Sequence, residues 1–174
     1  MTVSYFQRQA ENNAWANSLL YTALSALSPE AYSAPYPSFF GSIPATLNHI
    51  YAVDLYYLDA LAEGGKGRAV YDREDIHELR DLGQLQAEQD TEFVAFCKGL
   101  SEDDLTRTVP TERPDGMTSE RIDWLILHLV QHQVHHRGQV HAMISQGGGN
   151  PPQLDDFYLD HGRAAGAEPY WQGT

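Results

Sequence analysis

A single cysteine, Cys97, in 174 residues excludes any internal disulfide. Basic residues are scarce as well: 11 Lys and Arg stand against 24 Asp and Glu, a formal net charge of −13. A surface of that sign repels phosphate backbones and anionic lipid, so nucleic acid is not an expected partner. The few cations form no stripe; Lys66 and Arg68 sit in a glycine-rich loop and the rest are scattered. Long apolar runs are missing too. The stretch Trp124 to Leu127 is broken by His128, far short of the roughly 20 residues that a membrane span needs. With no basic segment leading into an apolar one at the N-terminus, a cytoplasmic protein without a membrane partner is expected. A Gly-x-Ser-x-Gly elbow, a Walker-type loop and a His-Glu-x-x-His helix are also lacking, which removes three familiar enzyme classes.

What is there is a chain with 42% hydrophobic residues, enough for one continuous core without covalent staples. Apolar positions Phe6, Trp15, Leu19, Ala23 and Leu27 recur at helical steps, so a first helix is expected from Tyr5 to Leu27, stopping near Ser28-Pro29. The prolines between Tyr32 and Ser38 favour an extended connection. Ser42 is a candidate N-cap for a second helix, with Pro44 tolerated in its first turn and glycines 64, 65 and 67 ending it. A third helix is expected from about Asp75 to Lys98, with Gly83 in its middle. The stretch from Ser101 to Met117 reads as an irregular connection with room for a short extended pair. Thr118 or Ser119 then caps a fourth helix, from about Glu120 to Gln146, which the Gly147-Gly-Gly-Asn-Pro151 run terminates. The expected fold is all-α, a bundle of four helices over residues 1–150 with an irregular tail over 151–174.

Five of the eight histidines, at 128, 132, 135, 136 and 141, fall on that fourth helix. His132 and His136 are four apart, one above the other on one face, about 5–6 Å between Cβ atoms, so both imidazoles can reach a single ion. A third ligand has to come from a neighbouring helix. His49, on the second helix beside Ile50 and Val53, is the natural donor, because His77 lies in a charged stretch and His161 in the tail. Taken singly, His49 also reads as a core histidine satisfied by hydrogen bonds, and the His132/His136 pair reads equally as solvated or capping side chains. His135 points about 100° away around the helix, toward another surface. His128, one turn before His132, is either a supporting partner or a rival ligand. Gln139 is placed to orient a ligand ring.

Other patterns carry less. Glu74-Asp-Ile-His77 has Glu-x-x-His spacing, but a di-iron bundle needs two such motifs and two further inward glutamates. Cys97, among apolar residues, reads as a small buried hydrophobe rather than a nucleophile.

Two segments resemble the DinB/YfiT-like family of metalloenzymes. Phe39-Phe-Gly-Ser-Ile-Pro-Ala-Thr-Leu-Asn-His49 is similar to the family's approach to its first metal histidine, and His132-Gln-Val-His-His136-Arg-Gly-Gln139 resembles its His-x-x-x-His-Arg-Gly-Gln signature. Asn13-Ala-Trp-Ala-Asn17 in the first helix is similar too, so the likeness runs from about Tyr5 to Gly147. The resemblance implies an up-down-down-up four-helix bundle with His49, His132 and His136 on one metal, and relatives that include thiol-dependent transferases and isomerases. Three imidazoles leave a coordination position open, as in a catalytic site. Imidazole suits zinc and nickel, and also iron and copper. The function expected on this basis is a metal-dependent S-transferase, in which a low-molecular-weight thiol attacks a small electrophilic substrate. The competing expectations are a non-catalytic, stress-associated metal-binding protein and a metal-dependent hydrolase; in either case a homodimer joined through exposed helix faces is expected. Tyr51, Asp54 and Asp123 are general-base candidates by proximity to the ligand segments alone.

Overall fold

The computed structural model describes residues 2–155. Four long helices carry the fold: α1 (Val3–Ser25), α3 (Ile43–Leu61), α4 (Leu79–Gly99) and α5 (Ile122–Gln146). A short α2 (Pro29–Ser33) lies between α1 and α3, and an antiparallel hairpin, β1 (Thr108–Arg113) and β2 (Gly116–Arg121), precedes α5. The helices close a ring of contacts in which α1 packs on α4 and α5, and α3 packs on α5 and α4. Two apolar clusters fill the interior. One gathers Phe6, Val53, Phe93, Val109, Ile122 and Ile126, and the other Leu20, Leu47, Leu82, Val140 and Ile144.

The strictly all-α expectation is corrected by the hairpin. Its register pairs Arg113 with Gly116 across the two-residue turn Pro114-Asp115, and Gly116 sits at φ +127°, where only glycine is unstrained. Val109 and Thr111 point inward, both fully buried. The Tyr56 hydroxyl donates to the Glu112 carbonyl and ties the hairpin to α3. Thr118, Ser119 and Glu120 therefore belong to β2 rather than to the cap and first turn of α5, which begins at Ile122 after Arg121. The polar segment pairs with β1 because the turn brings the two strands together, a non-local reward that no helical cap signal can offset.

Two further boundaries differ for local reasons. Ser28-Pro29, read as a stop, also starts α2: the Ser28 hydroxyl accepts from Ala31 N and Pro29 occupies the first turn. The third long helix begins at Leu79, not Asp75, because Asn48 holds Ile76 in extended pairing. Asn48 Nδ2 donates to Ile76 O and Ile76 N donates to Asn48 Oδ1, both at 2.8 Å. Elsewhere the signals hold. Ser42 caps α3 through Ala45 N, and α5 ends at Gln146 with Gly148 at φ +76°. Gly83 lies in α4 against Tyr21, where an added Cβ would stand 2.9 Å from the ring. Of the tail expected over 151–174, only 151–155 fall within the described residues, and His161 lies outside them.

Candidate metal centre

The packing of α3 on α5 brings His49 against His132 and His136. One ring nitrogen from each lies within 4.8 Å of the others, and His132 Nε2 is 2.9 Å from His49 Nε2. Two nitrogens on one tetrahedral ion, with bonds of about 2.0–2.1 Å, stand about 3.3 Å apart. The observed spacing brackets that value, so the three imidazoles suit a divalent ion with little rearrangement. Among the described residues this is the group of His, Cys, Asp and Glu side chains that converges in this way.

Burial sets the charge of these rings. It pushes His49 down to about 4 and His132 to about 3, and the neighbouring imidazoles push the same way. His136, 8% exposed, is lowered by burial as well, against the raising effect of its bond to Gln139. Among the described residues, no carboxylate bears on the charge of these three rings. At neutral pH they are therefore neutral, the form that can ligate. His136 Nδ1 donates to Gln139 Oε1 at 2.8 Å, which fixes the tautomer and leaves Nε2 free. His132 Nδ1 is buried without a protein partner.

The other histidines are placed differently. His135 is exposed and accepts from Gln139 Nε2 at 3.2 Å, so the glutamine ties the outer ring to the inner one. His128 is exposed and lies against Tyr57, with ring centroids 4.8 Å apart, while its centroid is 6.4 Å from that of His132. It does not join the cluster. Arg113 bonds the Tyr57 hydroxyl at 3.0 Å, so the hairpin anchors this edge. His77 and Glu74 lie ahead of α4 in non-helical chain, which removes the Glu-x-x-His face.

The three base candidates are engaged elsewhere. Tyr51 is buried, its ring under the Arg73 guanidinium at 5.0 Å. Asp123 is bonded twice by Arg121, at 3.0 and 2.7 Å. Asp54 is 4% exposed, and its Oδ2 accepts from Gln86 at 2.7 Å and from Gln133. Cys97 is fully buried, which pushes its thiol up to about 12.

Two features escaped sequence reasoning. Phe40 stacks on His49 at 4.3 Å between centroids and leans on His136 at 5.5 Å, forming a wall of the site. Its loop is held by Tyr36 N donating to Gly41 O, with Gly41 at φ +78°. Phe39, 84% exposed, packs edge-on against Phe40. The second feature is a buried polar network through all four long helices. Arg137 Nη1 donates to Asn13, to Asn17 Oδ1 at 3.1 Å and to Gln133 Oε1 at 3.1 Å. Asp90 accepts from Asn13 at 3.1 Å, Asn17 at 2.9 Å and Gln86 at 3.3 Å. The i, i+4 pairs Asn13/Asn17, Gln86/Asp90 and Gln133/Arg137, all on core-facing stripes, were the available signal.

The model of the DinB family matches residues 1–168, and the chain belongs to that family. It is 28% identical over 148 residues to Protein DinB of Bacillus subtilis (strain 168), covering 79% of this chain and 83% of that one. Its fold is similar to that of a DinB-like protein from Bacillus cereus ATCC 10987, with a TM-score of 0.63, 19% identity and coverage of 80% of this chain and 90% of the other. A DinB-like protein from Bacillus subtilis gives a TM-score of 0.61 at 17% identity, covering 84% and 96%.

Proposed function

We propose that this DinB-family protein is a metal-dependent transferase in which His49, His132 and His136 hold one divalent ion, zinc or nickel before iron or copper, for attack of a low-molecular-weight thiol on a small electrophile. The observation that carries the reading is the convergence of three neutral imidazoles with no carboxylate partner among the described residues. A divalent ion held there supplies positive charge beside an open coordination position, where a coordinated thiol ionises at neutral pH. The chain's own residues do the rest. Gln139 keeps His136 in the ligating tautomer, and Phe40 excludes water from one side of His49 and His136.

The engagement of Tyr51, Asp54 and Asp123 supports a thiol over a water nucleophile. With these three candidates engaged, the acid nearer neutrality is the better partner, and a thiol near pKa 8.5 is far closer than water. The up-down-down-up bundle, one metal-binding unit over 1–150 with its tail, a cytoplasmic location and a homodimer belong to the same proposal. No described helix is long and apolar enough to cross a membrane. Trp124 and Val134, 62% and 59% exposed on α5, are the side chains that a dimer contact would cover.

The test starts with protein purified without a histidine tag. Metal analysis is expected to give about one ion per chain, and a panel of bacterial thiols against an epoxide and a haloaromatic is expected to reveal a metal-dependent rate that His49→Ala abolishes. Stoichiometric metal with no thiol-dependent rate across the panel overturns the transferase and leaves the hydrolase or the non-catalytic role.

A further inference from the structure

Phe39 is the most exposed large apolar side chain among the described residues. A single apolar residue in water is ordinary, but this one is the outer end of a row of rings that begins at the imidazole cluster. His132 meets His49 at 4.9 Å between centroids, His49 meets Phe40 at 4.3 Å in a stacked pair, and Phe40 meets Phe39 edge-on at 4.8 Å. Among the described residues Phe40 is the one ring other than histidine that touches the ligand imidazoles. His49, His132 and Phe40 are only half-buried, so the row runs from the cluster to the surface.

The loop that carries the two phenylalanines is fixed. Ser38 N donates to Tyr36 O at 2.8 Å, Gly41 N donates to Ser38 O at 3.2 Å, and a bridge pairs Pro35 with Ser42. The Tyr36 hydroxyl donates to Ala31 O at 2.6 Å, and Ser38 Oγ lies 3.5 Å from Met143 Sδ on α5. Space next to Phe40 is free as well, since a Cβ added at Gly41 would meet nothing within 4 Å. A ring held in water beside open space, at a set distance from the cluster, is preorganised to receive another ring. Its size argues against a protein partner. One aromatic side chain offers roughly 150–250 Å², well short of the about 800 Å² per partner that a stable complex buries.

We infer that the electrophile carries an aromatic ring, which docks on Phe39 with Phe40 behind it. The inference rests on the transferase reading. A low-molecular-weight thiol is largely polar outside its sulfur, so the apolar wall fits the other reactant. The ring leaves the chemistry as proposed: the thiolate sulfur bonds to carbon, and the displaced group leaves with the electron pair. Phe39 and Phe40 are specificity-determining residues here, because they touch the part of the substrate that does not react.

The probes are phenylacetohydroxamic acid, its cyclohexyl analogue and acetohydroxamic acid, each titrated calorimetrically into metal-loaded, full-length protein. All three present the same chelating group to the ion, so differences between them read the wall beside it. The phenyl compound is expected to bind about tenfold tighter than acetohydroxamic acid and about three- to tenfold tighter than the cyclohexyl compound. Phe39→Ala should remove most of both gains while metal content stays the same. Phe39→Leu, which keeps an apolar surface without a ring, should remove the preference for phenyl over cyclohexyl, and Phe39→Tyr should retain it. The position is 84% exposed, so these variants spare the core. If Phe39→Ala keeps the phenyl gain, or wild type binds the phenyl and cyclohexyl compounds alike, the aromatic site is overturned while acetohydroxamic acid binding still reports the open ion. Protein that holds its ion yet binds none of the three has no open coordination position, which overturns the transferase reading and this inference with it.

Discussion

The imidazole cluster between α3 and α5 and the Asp54–Gln86–Asp90–Arg137 network inside the four helices are both buried groups of titratable side chains, yet burial drives them apart. It lowers His49 and His132 to about 4 and 3 and raises Asp54 and Asp90 to about 7 and 6. In each case the neutral form gains, because low dielectric penalises charge whatever its sign. A neutral imidazole offers a lone pair, whereas a carboxylic acid offers a proton. The network's hydrogen bonds close mostly on themselves and join the helices, while the imidazoles turn their nitrogens toward one another. The first arrangement suits structure and the second suits a ligand.

The largest expected effect breaks the cluster. His132→Ala or His136→Ala should take the protein from about one tightly held ion per chain to well below that by metal analysis, since two imidazoles remain at most. If both variants keep full metal content, the imidazoles are not the ligands and the contrast collapses. Next comes Arg137→Met, which leaves buried carboxylates and amide oxygens without their shared donor. A loss of about 3–5 kcal/mol in denaturant-unfolding stability is expected, and a loss under about 1 kcal/mol would mean that water already serves the network.

Gln139→Leu sharpens the boundary of the cluster. Losing the bond that sets the His136 tautomer should weaken metal affinity by about 10–100-fold with little change in metal-free stability. Unchanged affinity by competition with a chelator would make the glutamine a bystander.

A subtler test uses pH. Asp54, raised from 3.8 to about 7, leaves the folded chain with more bound protons than the unfolded one between those values. Its contribution to stability is therefore fully present below about 3.8 and is lost as pH rises through about 7. Asp54→Asn removes that dependence, so its stability relative to wild type should be higher at pH 8 than at pH 5. In metal-free protein His49 and His132 act with the opposite sign below 6.5, and comparing the variant with wild type at each pH cancels them. A difference that does not change with pH would place the proton elsewhere. The smallest effect belongs to His135→Ala. On an exposed ring it should leave metal content unchanged and stability within about 0.5 kcal/mol.

The four long helices were legible because each carries apolar residues at helical spacing between clear stops, such as the glycines after Leu61 and Gln146. The hairpin was not, because Thr118-Ser-Glu120 has the composition of a helix cap and becomes a strand only when β1 lies beside it. Asn48 shows the same logic from the other side: nothing in its neighbourhood in sequence signals that it takes Ile76 out of a helix. At the centre, spacing put His132 and His136 on one face and made His49 the candidate third ligand, a choice that the family resemblance strengthened. Their meeting, the stacking of Phe40 on His49 and the exclusion of His128 depend on how α3 lies against α5 and on where Tyr57 sits.

By itself, then, the sequence determined what short-range periodicity can encode: the helices, their faces, the chelating pair, and the membership that its signature segments carry. Tertiary structure alone decided which polar groups are buried together, since Asn13, Asp54, Asp90 and Arg137 come from four helices far apart in the chain. Burial is a property of the packed whole, and it is burial that sets the protonation of each of these groups.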